Sequence, residues 1–156
     1  MEGACRISLA CVAAYILFCA ANRFLAWNIL AKESKVLKPQ FAYIFPEPLG
    51  PHRWRAVLRS GNLYREYLIH NLSGRMELKK EIKTDIGEVS VEEIRQSPAA
   101  RKLEAFFKAP VWRVEEGGLS HGNTVTVYDL RFTPLVLERG KPFEFAFKTG
   151  ELGLRR

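Results

Sequence analysis

Residues 53–70 read RWRAVLRSGNLYREYLIH, and their pattern decides the fold class. Two runs rich in apolar and aromatic residues flank Ser60-Gly61-Asn62, and two such runs joined by a short glycine-containing turn form a β-hairpin. In the first run Trp54, Ala56 and Leu58 share one face, while Arg53, Arg55 and Arg59 share the other. Successive side chains of a strand point to opposite sides, so this alternation predicts a strand with one face on a core and one in water. Asn71-Leu72-Ser73-Gly74 is a turn signal after the second run. Arg75–Thr84, holding Met76, Leu78 and Ile82 among charges, is a third candidate strand.

Downstream, residues 90–109 read as helix in two pieces. Ser90 with Glu93 fits a capping box, in which hydroxyl and carboxylate each accept from an orphan backbone N–H. Ser97-Pro98 is a second start signal, with Ser as N-cap and Pro at the first helical position. Leu103, Phe106 and Phe107 fall at spacings of three and four and form one apolar stripe, which Pro110 ends. Val111–Glu115 is a short strand, and Gly117-Gly118 and Gly122-Asn123 bracket a polar turn. TVTVYDLRF, Thr124–Phe132, carries the strongest strand signal, and Phe143, Phe145 and Phe147 alternate with polar or small residues in a last strand. Hairpins with one helical interruption predict an α+β domain with a mainly antiparallel sheet and one or two short helices. Trp54, Tyr67, Phe106, Phe107, Trp112, Phe132, Phe143 and Phe145 are its expected core aromatics.

Upstream lies a different kind of chain. Pro39, Pro46, Pro48, Pro51 and Gly50 make 39–52 an extended connector, whose Phe41, Tyr43, Ile44 and Phe45 are apolar enough to pack on the domain. Before it, ISLACVAAYILFCAA (Ile7–Ala21) has no charge between Arg6 and Arg23, and no Pro or Gly interrupts a helix from Ala4 to Lys38. Three readings fit: a transmembrane anchor, a cleaved signal peptide with small residues at Cys19-Ala20-Ala21, and a buried core helix. The anchor is preferred, because apolar helix continues past Ala21 and the leader, with Glu2 beside Arg6, lacks a basic excess. Small residues along the helix (Ala10, Ala13, Ala14, Ala20, Ala21) suit packing against another membrane helix. The layout expected is 1–38 transmembrane helix and amphipathic stalk, 39–52 connector, and 53–156 soluble domain.

The 156 residues suit one ordinary domain, and 47% hydrophobic with 26% charged residues exclude wholesale disorder. The three cysteines, Cys5, Cys11 and Cys19, all fall in the first 19 residues, which excludes a disulfide scaffold. The net charge of +7 divides: residues 1–38 hold five basic and two acidic residues, the remainder nineteen and fifteen. Arg6 precedes the apolar run and Arg23, Lys32, Lys35 and Lys38 follow it, so the positive-inside bias places the domain in the cytoplasm on a single-pass inner-membrane protein. Arg23, Trp27, Lys32, Lys35 and Lys38 are the candidate membrane-interface residues, able to meet anionic headgroups or simply solvent.

Catalytic chemistry is not legible. His52, His70 and His121 lie apart without metal-ligand spacing, no CxxC occurs, and phosphate-loop and nucleophile-elbow motifs are missing. Asp129 and Arg131, two apart on a strand, share a face and pair with each other or with Arg113 as a structural ion pair; a catalytic carboxylate is the alternative. Asn71-Leu72-Ser73 matches a glycosylation sequon at a tight turn. Basic residues interleave with aromatics in RWR and LYREY, but a net +4 spread over the soluble part does not make the concentrated basic face of a nucleic-acid binder.

PEPLGPHRWRAVLRSGNLYREYLI, SPAARKLEAFFKAPVWRVEEGG, VTVYDLRF and PFEFAFK together resemble the C-terminal domain of the membrane-bound metal-dependent hydrolase family, the YdjM-like inner-membrane proteins. The resemblance covers about Phe41 to Lys148. It implies a soluble tail held by membrane helices, in a family whose metal site lies in histidine- and aspartate-bearing membrane helices. Here no His precedes His52 and no Asp precedes Asp85, so no catalytic residue and no metal ligand carries over, and no cofactor is expected. The expected function is a membrane-anchored, non-catalytic domain in protein or membrane-surface interaction. The alternative is a subunit or fragment of a hydrolase whose ligands lie on another chain, a membrane protein subunit being the partner.

Overall fold

A computed structural model describes residues 2–48, 50–115, 123–133, 135 and 143–148. It is an α+β protein: one long apolar helix, then antiparallel sheets of four and three strands with two short helices. The expected turn at Gly117-Gly118 and Gly122, His121, and the tail after Gly150 lie outside the described residues. The chain divides into two compact units, Met1–Leu58 with Arg65–Lys80, and Arg59–Tyr64 with Glu81–Arg156.

The first unit starts with helix α1, Glu2–Leu37. It stops where Lys38, ahead of Pro39, takes the left-handed conformation (φ 43°) and donates its N–H to Ser34 O at 2.8 Å. A residue before proline is disfavoured in the α region, which explains the stop. The sheet order is β1 (Phe41–Pro46), β2 (Arg53–Ser60), β3 (Leu63–His70), β4 (Arg75–Lys83). The segment expected as a connector therefore supplies β1. Its prolines sit at and beyond the ends of an edge strand, where a missing N–H breaks no ladder bond. Between β2 and β3 only Gly61-Asn62 remain as loop, and Gly61 has φ 59°, the value a glycine-first hairpin turn requires.

The core of this unit joins helix and sheet. Ala26 and Leu30 of α1 pack with Ile44, Trp54, Ala56, Leu58 and Ile69, and Ile29, Leu37 and Tyr67 border them. Positions 22, 26 and 30 recur every four residues, so only one face of the second half of α1 is covered. Trp54 Nε1 donates to Pro51 O at 2.8 Å, which satisfies the indole at the start of β2.

The expectation of a wet arginine face on β2 is overturned. Residues 54–58 are all buried, and Arg55 is 1% exposed. An interior strand covered on both faces still alternates if one buried face is built around charge.

The second unit holds α2 (Val89–Arg95), α3 (Pro98–Phe106), β5 (Pro110–Glu115), β6 (Thr124–Asp129) and β7 (Phe145–Lys148), with sheet order β5-β6-β7. Its register pairs Trp112 with Val127 and Val127 with Phe145. Val91, Ile94, Ala100, Phe107, Trp112, Val125 and Val127 form its core. Thr84 and Asp85 extend the hydrogen bonding of β5: Trp112 N–H donates to Thr84 Oγ1 at 3.0 Å and Val114 N–H to Asp85 Oδ2 at 2.9 Å.

Three expectations change here. The cap of α2 is Glu88 rather than Ser90, and the Glu92 carboxylate accepts the Gly87 N–H at 3.1 Å instead of a Ser90–Glu93 box forming. An earlier start lets Val91 and Ile94 both face the core. The strand expected through Phe132 ends at Asp129, and Leu130–Phe132 form a 3₁₀ turn. Phe106, Phe143 and Phe145 are exposed rather than core. In α3, Ala100 and Leu103 take the inward positions, and Phe107, extended after the helix end, turns inward instead of Phe106. Ser97 caps α3 as expected, accepting the Ala100 N–H at 3.2 Å.

Candidate functional site

The chemistry-bearing groups fall in three places. The first is α1. Its segment Cys5–Lys35 is long and apolar enough to cross a membrane. In its first half Ile7, Leu9, Val12, Tyr15, Ile16, Leu17 and Phe18 are all between 54% and 70% exposed. In its second half Asn22, Ala26 and Leu30 are buried. Apolar residues all round a helix cannot be satisfied by water, whereas a single apolar stripe is satisfied by a sheet. The change falls at Asn22. Arg23, Trp27, Lys32 and Lys35 are exposed on the part of α1 whose other face meets the sheet, and Lys38, just past its end, is exposed as well. Cys5, Cys11 and Cys19 are free thiols along the first half.

Asn22 also fixes the level of the β3–β4 turn. Asn71 Nδ2 donates to Asn22 O at 2.7 Å and to Asn22 Oδ1 at 3.1 Å. Asn22 Nδ2 in turn donates to Phe18 O at 2.9 Å. The sequon asparagine is thus engaged in holding turn to helix. Leu72, the next residue, is 87% exposed. Beside this link lies a groove of about 540 Å³ whose walls include Leu25, Asn28, Lys32 and Lys35 of α1 and Asn71 and Gly74 of the turn.

The second place is a buried charge cluster in the first unit. Arg55 Nη1 donates to Glu66 Oε1 at 3.1 Å, Arg55 Nε lies 3.2 Å from Glu47 Oε1, and all three side chains are almost wholly buried. The Phe45 ring lies 5.3 Å from the guanidinium. Burial pushes the Glu66 carboxyl above the usual carboxylate range, against the lowering influence of Arg55 and Lys80. Sequence reading missed this cluster. Its only signal was an Arg and a Glu on the two strands of one hairpin, a pattern that a wet sheet also shows.

The third place is Asp129, wholly buried in the second unit. Its carboxylate accepts the backbone N–H groups of Lys108 (2.9 Å), Ala109 (3.1 Å) and Arg131 (2.9 Å). Arg131 Nη2 stands 3.5 Å from Asp129 Oδ2, and Arg113 stands across the strand pair from Thr126. A carboxylate spent on three backbone donors braces the α3–β5 connection and the 3₁₀ turn. The Arg131 guanidinium lies over the rings of Phe106 (4.8 Å) and Phe132 (4.5 Å), and Phe143 adjoins Phe132 at 4.8 Å. Phe106 and Phe143 of this row are exposed and Phe132 is half-buried, so the row lies outside the core expected for it.

Among the described residues no group of three His, Cys, Asp or Glu is placed to hold a metal ion. His52 and His70 are half-buried and separate. No family model, curated protein or solved structure matches the chain.

Proposed function

We propose that this protein is a membrane-anchored, non-catalytic domain. The first half of α1 lies in a bilayer, and the α+β portion is held at the membrane surface to meet a partner protein or the membrane itself. One observation carries this reading: the apolar residues of α1 are exposed from Ile7 to Phe18, and sheet packing begins at Asn22. The positions of Arg23, Lys32, Lys35 and Lys38 on the exposed face support a cytoplasmic domain at the inner membrane. The resemblance of about Phe41 to Lys148 to the tails of membrane-bound metal-dependent hydrolases brings the same proposal of a membrane-held tail. It leaves hydrolysis to a chain that would carry the metal ligands.

The test is alkaline extraction of membranes from cells making the full chain, with intact-mass analysis of the product. The anchor predicts full-length protein retained in the pellet. A product shortened near Ala21 would establish a cleaved leader instead. For the orientation, a membrane-impermeant maleimide applied to intact cells is expected to label Cys5, on the outer side of the span. Labelling of Cys5 only after lysis would reverse the orientation.

A further inference from the structure

The groove beside α1 has the chemistry of a phosphate site at the depth of lipid headgroups. We propose that it binds the headgroup phosphate of an anionic phospholipid of the surrounding bilayer, with Leu72 reaching into the acyl boundary beside it. This rests on the membrane-anchor reading.

Depth is set by helix length. Ile7–Ala21 rise about 22 Å along the helix axis, and with Arg6 and Arg23 reaching out from either end the span approaches the roughly 30 Å of bilayer hydrocarbon, so the boundary falls near Asn22, where sheet packing begins. Leu25, at one end of the groove, stands about 5 Å beyond it. Lys32 lies seven residues, or about 10 Å, further out. Helical side chains lean toward the helix N-terminus, so the ammonium groups of Lys32 and Lys35 return toward the headgroup layer. Phe24 and Trp27, exposed on the same stretch, are suited to that boundary.

Charge favours an anion. Lys32 and Lys35 are one helical turn apart and repel each other, and a phosphate between them removes that repulsion. The neighbouring acid, Glu33, does not line the groove. Asn71, which does, adds a polar side chain to the wall that carries the two lysines. The Asn71–Asn22 hydrogen bonds hold the turn at the membrane end of the domain, so Leu72, 87% exposed, faces the bilayer rather than bulk water.

The full chain is reconstituted in nanodiscs of phosphatidylcholine with a minority of phosphatidylglycerol. Lipid retained after detergent release is measured by native mass spectrometry. Wild type is expected to retain phosphatidylglycerol selectively, and the K32Q/K35Q double variant to retain roughly tenfold less. Leu72→Asp is expected to weaken retention, and Arg6→Gln, at the far end of α1, to leave it unchanged. Equal retention by wild type and K32Q/K35Q overturns the site, as does full displacement by soluble glycerol phosphate, which would make a free phosphate the ligand. Alkaline extraction of the same preparations separates the two readings. A chain that stays in the membrane without selective lipid loses only the groove; a chain that is extracted loses the anchor as well.

Discussion

Arg55 lies between two carboxylates with almost no water around them, and the cluster as a whole carries more negative than positive groups. Removing one partner of a buried pair leaves an uncompensated charge, so Arg55→Met is expected to lower stability by about 3–5 kcal/mol, measured by urea unfolding of the full chain in detergent. Glu66 gives a pH signature. Burial raises its carboxyl, so the folded protein holds the proton more tightly than the unfolded chain does. That contribution is complete below the ordinary glutamate value and is lost as pH rises through the raised one. Glu66→Gln keeps an acceptor for Arg55 and cannot titrate. The stability of wild type relative to this variant should therefore fall as pH rises from the ordinary glutamate value through the raised one, and parallel pH profiles would refute the assignment. Asp129 is a different case, because its partners are backbone donors. Asp129→Ala strands N–H groups of Lys108, Ala109 and Arg131, and a loss of about 3 kcal/mol or more is expected from denaturation. The sequence placed Asp129 and Arg131 near each other, but these backbone partners depend on where α3 ends and were not legible.

At the level of elements, local signals succeeded where the chemistry is local. Ser97-Pro98 starts α3, and Gly61 makes the β2–β3 turn, because capping and left-handed backbone need only their own few residues. A Cβ built on Gly61 meets nothing within 4 Å. Gly61→Ala should thus cost only the backbone conformation, about 1 kcal/mol by thermal melting, with the fold retained. Gly50 provides the contrast, since a Cβ there comes within 2.7 Å of the His52 ring. The misread elements share one cause. The capping box at Ser90, the strand through Phe132 and the connector before Arg53 each had a locally acceptable alternative. The choice between them was made by which residues a neighbouring element buried.

On the scale of the molecule, α1 belongs to two environments. Its first half is exposed apolar helix, while its second half contributes Ala26 and Leu30 to the core of the first unit. A chain beginning at Asn22 is therefore expected to be soluble and folded. One beginning at Pro39 loses the Leu30 side chain alone at a cost of about 1.5–3 kcal/mol, and with Ala26 gone as well is expected to aggregate. Circular dichroism and gel filtration of the two truncations check this; a folded chain from Pro39 would mean that the second half of α1 is not part of the core. What the sequence determined by itself was the α+β class, the unbroken helix, the hairpin and the cap of α3, because these follow from periodicity, helix breakers and turn residues within a short window. Tertiary structure alone decided that β2 is buried on both faces, that Pro-rich chain forms an edge strand, and that α1 changes surroundings at Asn22. Whether a face is covered depends on what lies opposite it, and residues distant in sequence, such as Leu30 and Trp54 or Asn22 and Asn71, meet only once the sheet has assembled.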